Sequence, residues 1–234
     1  MEPIRAQGNL IAGRFRPPSS PDDVIEKRNP GDLSDVIGIF PSSAEDVDHA
    51  VESAAKALLS WTRRPFEERR AAVEKFNGVL EAESGRLAAL ITRETGKPLW
   101  ESKMEISSVA KKIEITIRRA MPLIKGERVG EGAETRPRAR GVLAVLGPFN
   151  LPAHLPHGHI VPALLAGNTV VFKPSEKTPA VGELYASLWV AAGLPPGVVN
   201  MVQGKGDAGA QLASHSGVGG VLFTGSYSTG RRLM

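Results

Sequence analysis

Within Gly141–Glu176 (GVLAVLGPFNLPAHLPHGHIVPALLAGNTVVFKPSE) an amide ends one apolar run, and an ammonium and a carboxylate end the next. Asn150 closes the turn Gly147-Pro148-Phe149-Asn150. Its NH₂ can donate to a developing oxyanion, a contact that supplies about 3 kcal/mol at a preorganised site. Pro148 and Pro152 flank it, so its backbone is expected to be extended and the direction of the following helix fixed. A turn asparagine bonding its own neighbours is the competing reading. Lys173-Pro174-Ser175-Glu176 ends the second run. A carboxylate at such a strand end can accept both hydroxyls of an adenosine ribose, and an ammonium beside it can donate to the same sugar. The acid would also repel a 2′-phosphate, which favours NAD over NADP. An ordinary helix start, capped by Ser175 or Thr178, would need the same residue types.

Two glycine patterns compete for a phosphate role. Gly204, Gly206 and Gly209 spell G-x-G-x-x-G between an apolar run and a helical stretch. That fingerprint wants an acid about twenty residues further on, and no Asp or Glu follows Asp207. A tight turn is therefore the favoured reading of this loop. Gly225-Ser226-Tyr227-Ser228-Thr229-Gly230 follows another apolar run, and would aim backbone N–H groups and a serine hydroxyl at a pyrophosphate. Gly and Ser also populate turns in general. His154, His157 and His159 invite a metal reading, but Pro156 and the lack of a nearby cysteine or acid argue against a closed site. No metal is expected. Arg136, Arg138 and Arg140 are read as a solvated ribbon.

The elements that must position these residues follow from periodicity. Asn9–Phe15 and Val36–Phe40 have strand character, with a loop over Pro17–Asp23. Ser42 and Glu45 form a capping-box pair, which predicts a helix opening at Ser42 with Val47, Ala50, Val51, Ala54 and Leu58 on its apolar side. A second helix is expected after Pro65, and a third from Ser84 to the stop at Gly96 and Pro98. A fourth is expected over Leu99–Arg119. Met121–Arg140 reads as an exposed β-ribbon or long connection. Beyond Gly141, strands at Val142–Leu146, Thr169–Phe172, Val198–Val202 and Val221–Phe223 alternate with helices near Leu155–Leu165, Thr178–Ala192 and Ala208–Ser214. That alternation predicts an α/β fold with a doubly wound parallel sheet, whose ligands sit at the carboxyl ends of the strands.

With 41% apolar and 23% charged residues, the 234-residue chain suits an ordinary globular fold. A formal charge of +4 is too small to imply nucleic acid. The absence of cysteine excludes disulfides, thiolate metal sites and a cysteine nucleophile within these residues. The longest apolar stretch, Ile160–Phe172, is interrupted by Pro162, Gly167 and Asn168 and is too short for a bilayer. The start shows no signal-peptide pattern. A cytoplasmic protein without membrane partners is expected.

The ordered series Arg93-Glu94-Thr95-Gly96-Lys97-Pro98, Gly147–Asn150, Ala166–Thr169, Lys173–Glu176, Gly193–Gly197 and Phe223–Ser226 resembles the aldehyde dehydrogenase superfamily. His154-Leu155-Pro156 and Gly158–Asn168 resemble, within it, the succinylglutamate-semialdehyde dehydrogenases of arginine catabolism. The resemblance covers nearly the whole chain. It implies an aldehyde-dehydrogenase-like α/β fold with an N-terminal helical segment and a partial, Rossmann-like NAD-binding sheet. It also implies NAD-dependent oxidation of an aldehyde, N-succinylglutamate 5-semialdehyde, to the carboxylate. In the family a cysteine thiolate adds to the aldehyde and a glutamate later activates water. Both lie beyond the Gly225–Gly230 loop, so this chain is expected to lack the catalytic domain and to be inactive alone.

By the same resemblance Asn150 stabilises the oxyanion. Gly147, Pro148, Phe149, Lys173, Ser175, Glu176, Gly204 and Gly225–Gly230, including Ser226, Tyr227, Ser228 and Thr229, bind NAD. Residues 1–120 are expected to carry the N-terminal strands and helices of the cofactor domain. Residues 121–140 would be an oligomerisation arm, with a homo-oligomer in the full-length form, and residues 141–234 the Rossmann-like part. The alternatives are a non-catalytic NAD-binding or subunit-pairing module, or a truncated product without function.

Overall fold

Residues whose side chains alternate between two buried faces build the sheet that carries the site. In the structure, a computed structural model that describes residues 2–234, the first strands are β1 (Ile4–Arg5), β2 (Asn9–Ile11), β3 (Arg14–Arg16), β4 (Asp23–Asn29) and β5 (Asp32–Ser42). The segment expected as one strand over Asn9–Phe15 is a hairpin instead. Ala12 and Gly13 take positive φ and turn the chain between β2 and β3. Asp23–Asn29, which sequence periodicity leaves unassigned, pairs antiparallel with β5, and β1 adds to the other edge of β5. In β4 only Ile25 is fully buried and Val24 is exposed, so its sequence shows little alternation.

Four helices follow: α1 (Glu45–Thr62), α2 (Phe66–Ala82), α3 (Ser84–Thr95) and α4 (Leu99–Ile115). The Ser42–Glu45 capping box does not form. Ser42 is the last residue of β5, and α1 begins behind Ala44, whose N–H is held by Asp22 at 3.0 Å. Strand pairing competes successfully for Ser42 here. Pro65 precedes α2, where the acids Glu67 and Glu68 face the positive end of the helix dipole. Gly96, at φ 77°, ends α3 as its C-cap. The fourth helix does not run uniformly to Arg119: α-geometry stops at Ile115, then a π-turn covers Thr116–Ala120 and a 3₁₀ turn Met121–Ile124. The ribbon is a short exposed hairpin of β6 (Arg128–Gly130) and β7 (Ala133–Glu134).

The rest is β8 (Val142–Leu146), α5 (His154–Leu165), β9 (Thr169–Lys173), α6 (Pro179–Ala191), β10 (Val199–Met201), α7 (Gly206–Ser214), β11 (Val218–Phe223) and α8 (Tyr227–Leu233). The strand order is β11-β8-β9-β10-β2-β3. The four strands after Gly141 are parallel, whereas β2 and β3 extend the sheet antiparallel, so the sheet is mixed. Val142, Ala144 and Leu146 face a core shared with Val47, Val51 and Leu212. Leu143 and Val145 face the larger core of Trp61, Phe76, Ile160, Tyr185 and Trp189. Both faces being covered explains why β8 and β9 are buried at every residue. Phe76 and Trp189 stack at 3.6 Å between ring centroids, tying α2 to α6. No helix is long and apolar enough to cross a membrane among the described residues.

Candidate functional site at the carboxyl rim of the sheet

Parallel pairing brings the carboxyl ends of four strands to one rim. Leu146 lies in register with both Lys173 and Phe223, and Phe172 with Met201. The chain steps from β8 to β9 to β10 in one direction and then returns to place β11 on the other side of β8. The order therefore reverses between β8 and β11, and a crevice opens at such a point because successive connections leave in opposite directions. A cleft of about 1160 Å³ lies along this rim.

Gly147, Pro148, Phe149, Asn150, Lys173, Ser175, Glu176, Gly225, Ser226 and Thr229 all line it. Ten residues singled out in sequence thus share one surface, although they come from three separate strand ends. Gly204, Tyr227, Ser228 and Gly230 do not line it. Gly204, at φ 149°, makes the turn into α7, and a β-carbon there would stand 2.4 Å from Ala208 Cβ. The Tyr227 side chain is exposed, Ser228 Oγ sits 3.1 Å from Ser226 Oγ, and Gly230 packs over the Phe223 ring. Gly206, Asp207, Gly209 and Lys177 line the cleft outside the sequence-derived set. Gly206, Asp207 and Gly209 belong to the G-x-G-x-x-G segment, disfavoured as a phosphate loop for want of a downstream acid, whereas Lys177 directly follows the Lys173–Glu176 motif. Gly209 packs beside the Lys173 stem, and a β-carbon there would make ordinary contact with it at 3.4 Å.

The charged pair fits a ribose. Lys173 Nζ is almost buried and donates to the Pro174 carbonyl at 2.8 Å, with Glu176 Oε2 at 4.0 Å. Burial pulls its pKa down to about 8, and the Glu176 charge opposes that shift. An ammonium has three N–H donors, so hydroxyls of a bound sugar can take those the Pro174 carbonyl leaves over. Glu176, half-exposed, has acceptor oxygens on the same side. Lys177 Nζ lies 4.6 Å from the Phe149 ring centroid and closes the wall between the two turns. At the opposite wall Ser226 Oγ accepts from Thr229 N–H at 3.2 Å and caps α8.

The Asn150 turn is held from below by a buried ion pair. Lys97 Nζ contacts Glu105 Oε2 at 2.5 Å and donates to the Asn150 carbonyl at 3.0 Å. Glu105 Oε1 accepts from Ala153 and His154 N–H, both at 3.0 Å, at the start of α5. One carboxylate thus satisfies two orphan N–H groups of a helix and anchors the turn before it. The three histidines diverge. His157 is buried against Tyr185 Oη at 3.0 Å, and burial pushes its pKa down to about 3. His159 Nε2 meets Thr224 Oγ1 at 2.8 Å, and His154 Nε2 faces Lys112 Nζ at 3.4 Å.

A largely parallel α/β sheet with a charged pair at one strand end, beside a reversal of strand order, places the chain in the doubly wound α/β class. The chain belongs to the aldehyde dehydrogenase family, whose profile matches residues 15–234. It is 52% identical over 198 residues to N-succinylglutamate 5-semialdehyde dehydrogenase of Vibrio cholerae serotype O1, covering 83% of this chain and 41% of that protein. Among solved structures it resembles aldehyde dehydrogenase from Bartonella henselae, with a TM-score of 0.92 at 29% identity over 97% of this chain and 48% of that one. It also resembles NADP-dependent glyceraldehyde-3-phosphate dehydrogenase from Bacillus halodurans complexed with NADP, with a TM-score of 0.90 at 28% identity over 98% and 50%. The chain spans less than half the length of the curated relatives it matches.

Proposed function

We propose that this chain supplies the nicotinamide-cofactor site and the oxyanion-stabilising amide of an aldehyde dehydrogenase that oxidises N-succinylglutamate 5-semialdehyde to the carboxylate. The observation that carries the reading is the Lys173–Glu176 pair on the same cleft as Asn150 and the Gly225–Thr229 turn. In this reading Lys173 donates to the adenosine ribose and Glu176 accepts from it. The Gly225–Ser226 backbone lies along the pyrophosphate, and Asn150 reaches the far end of the cleft, where the aldehyde oxygen gathers charge. When bound, NAD supplies the hydride acceptor. NAD is preferred to NADP because Glu176 would face the 2′-phosphate, although a structural neighbour is complexed with NADP. The proposed substrate follows the curated relatives near 50% identity.

These 234 residues contain no cysteine, so they do not supply the thiolate the resemblance implies. Isothermal titration of the purified chain with NAD is expected to show saturable binding that AMP competes away. The absence of any binding heat would overturn the cofactor site. With NAD and the semialdehyde together, the chain by itself is expected to give no NADH. NADH above a boiled control would sink the view that the nucleophile lies elsewhere.

A further inference from the structure

We propose that Lys112 and His154 form a carboxylate-binding site that holds the acidic end of the substrate beside the Asn150 turn; the inference rests on the aldehyde dehydrogenase reading above. Lys112 on α4 and His154, the first residue of α5, face one another with Nζ and Nε2 3.4 Å apart. Both are partly buried. At that distance the ammonium can donate to Nε2 of an uncharged ring, while the Lys112 charge disfavours protonation of His154. Burial is the cause that draws Lys112 below its usual value. His154 is lowered by burial and then by the Lys112 charge, with Glu105 opposing. His154 Nδ1 is buried with no hydrogen-bond partner. An anion between the two bases would relieve both effects.

The groups facing the pair offer it no free acid. Glu105, the acid nearest His154 on α4, is committed to Lys97 and to the Ala153 and His154 N–H groups. On α5, His157 is buried and neutral against Tyr185, and His159 is taken by Thr224. The backbone also makes room for the ammonium. A β-carbon on Gly158, one turn beyond His154, would stand 2.3 Å from Lys112 Nζ and 2.7 Å from Cε. A side chain at 158 would therefore push the lysine away from His154.

The pair is tied to the chemistry through Glu105. That carboxylate holds the His154 backbone with one oxygen, and with the other holds the Lys97 that donates to the Asn150 carbonyl. The amide proposed for the oxyanion and the two bases thus hang from one buried anchor. The ligand class is an aldehyde bearing a carboxylate several bonds from its carbonyl. Its carboxylate would bridge Lys112 and His154 through charge-assisted hydrogen bonds.

The test uses the full chain with histidine labelled at Cε1, titrated with N-succinylglutamate and followed by NMR. The His154 signal is expected to move saturably and its pKa to rise, while the trimethyl ester leaves it in place. Lys112→Met removes the charge and Gly158→Ala displaces it. Each is expected to weaken binding by about tenfold or more, equivalent to one charge-assisted contact, with NAD affinity unchanged by calorimetry. A His154 signal that ignores the acid, or follows the ester equally, overturns the site. Unchanged affinity in both variants, each folded by circular dichroism, overturns it too. A chain that binds NAD while His154 ignores the acid loses this inference alone. One that fails to bind NAD loses the cofactor reading.

Discussion

In the proposed cofactor site, Glu176 is the residue whose charge would set the choice between NAD and NADP. Its side chain is 41% exposed, so its charge is partly screened and its effect on a 2′-phosphate is moderate. Glu176→Gln removes the negative charge while keeping an acceptor for the ribose. The ratio of NADP to NAD dissociation constants is expected to fall by about tenfold, or about 1.4 kcal/mol, in paired titrations at fixed ionic strength. An unchanged ratio would place the selectivity on another group. Lys173 was legible as the partner of this acid because both sit in one short motif. Its burial, and the packing of α7 beside its stem at Gly209, were not, because α7 lies more than thirty residues further along the chain.

At the scale of elements, the decisive join is α4 to α5 through Lys97 and Glu105. Both side chains are nearly buried, at 10% and 0% exposure. Removing one member of such a pair leaves a charge in low dielectric, and it here also strips a cap from α5. Glu105→Ala is expected to cost about 3–5 kcal/mol of stability, read as a fall in the urea midpoint. Lys97 stands in a motif quoted from sequence, yet its partner could not be chosen from sequence, since α4 carries Glu101, Glu105 and Glu114 alike. Only the docking of α4 against α5 selects Glu105. The failed Ser42 capping box has the same origin: local rules favoured a helix start, and the long pairing of β5 with β4 overrode them.

Across the whole molecule, the large core between sheet and helices contains a histidine held neutral. His157 stacks on Phe76 and meets Tyr185 edge-on, and burial pushes it down from 6.5 to about 3. Folding therefore favours the uncharged ring. The stability it contributes is fully present above about pH 6.5 and is lost as pH falls toward about 3, where the unfolded chain binds a proton that the core refuses. His157→Gln is expected to lower stability near neutrality and to flatten the acid limb by roughly one proton, measured as urea unfolding across that range. An unchanged slope would mean that other groups set the acid limit.

What the sequence by itself determined is local: the strand-end motifs, the helix stop at Gly96, and the alternation that makes a parallel sheet. These need only neighbours within a few residues, so composition and spacing carry them. The order β11-β8-β9-β10 and the addition of β2 and β3 were decided by tertiary structure alone. Strand order depends on which apolar faces bury each other best, a choice made between segments up to about two hundred residues apart. The cleft exists because of that order. Asn150, Glu176 and Ser226 are separated in the chain and share a rim only because β8, β9 and β11 run parallel and end together.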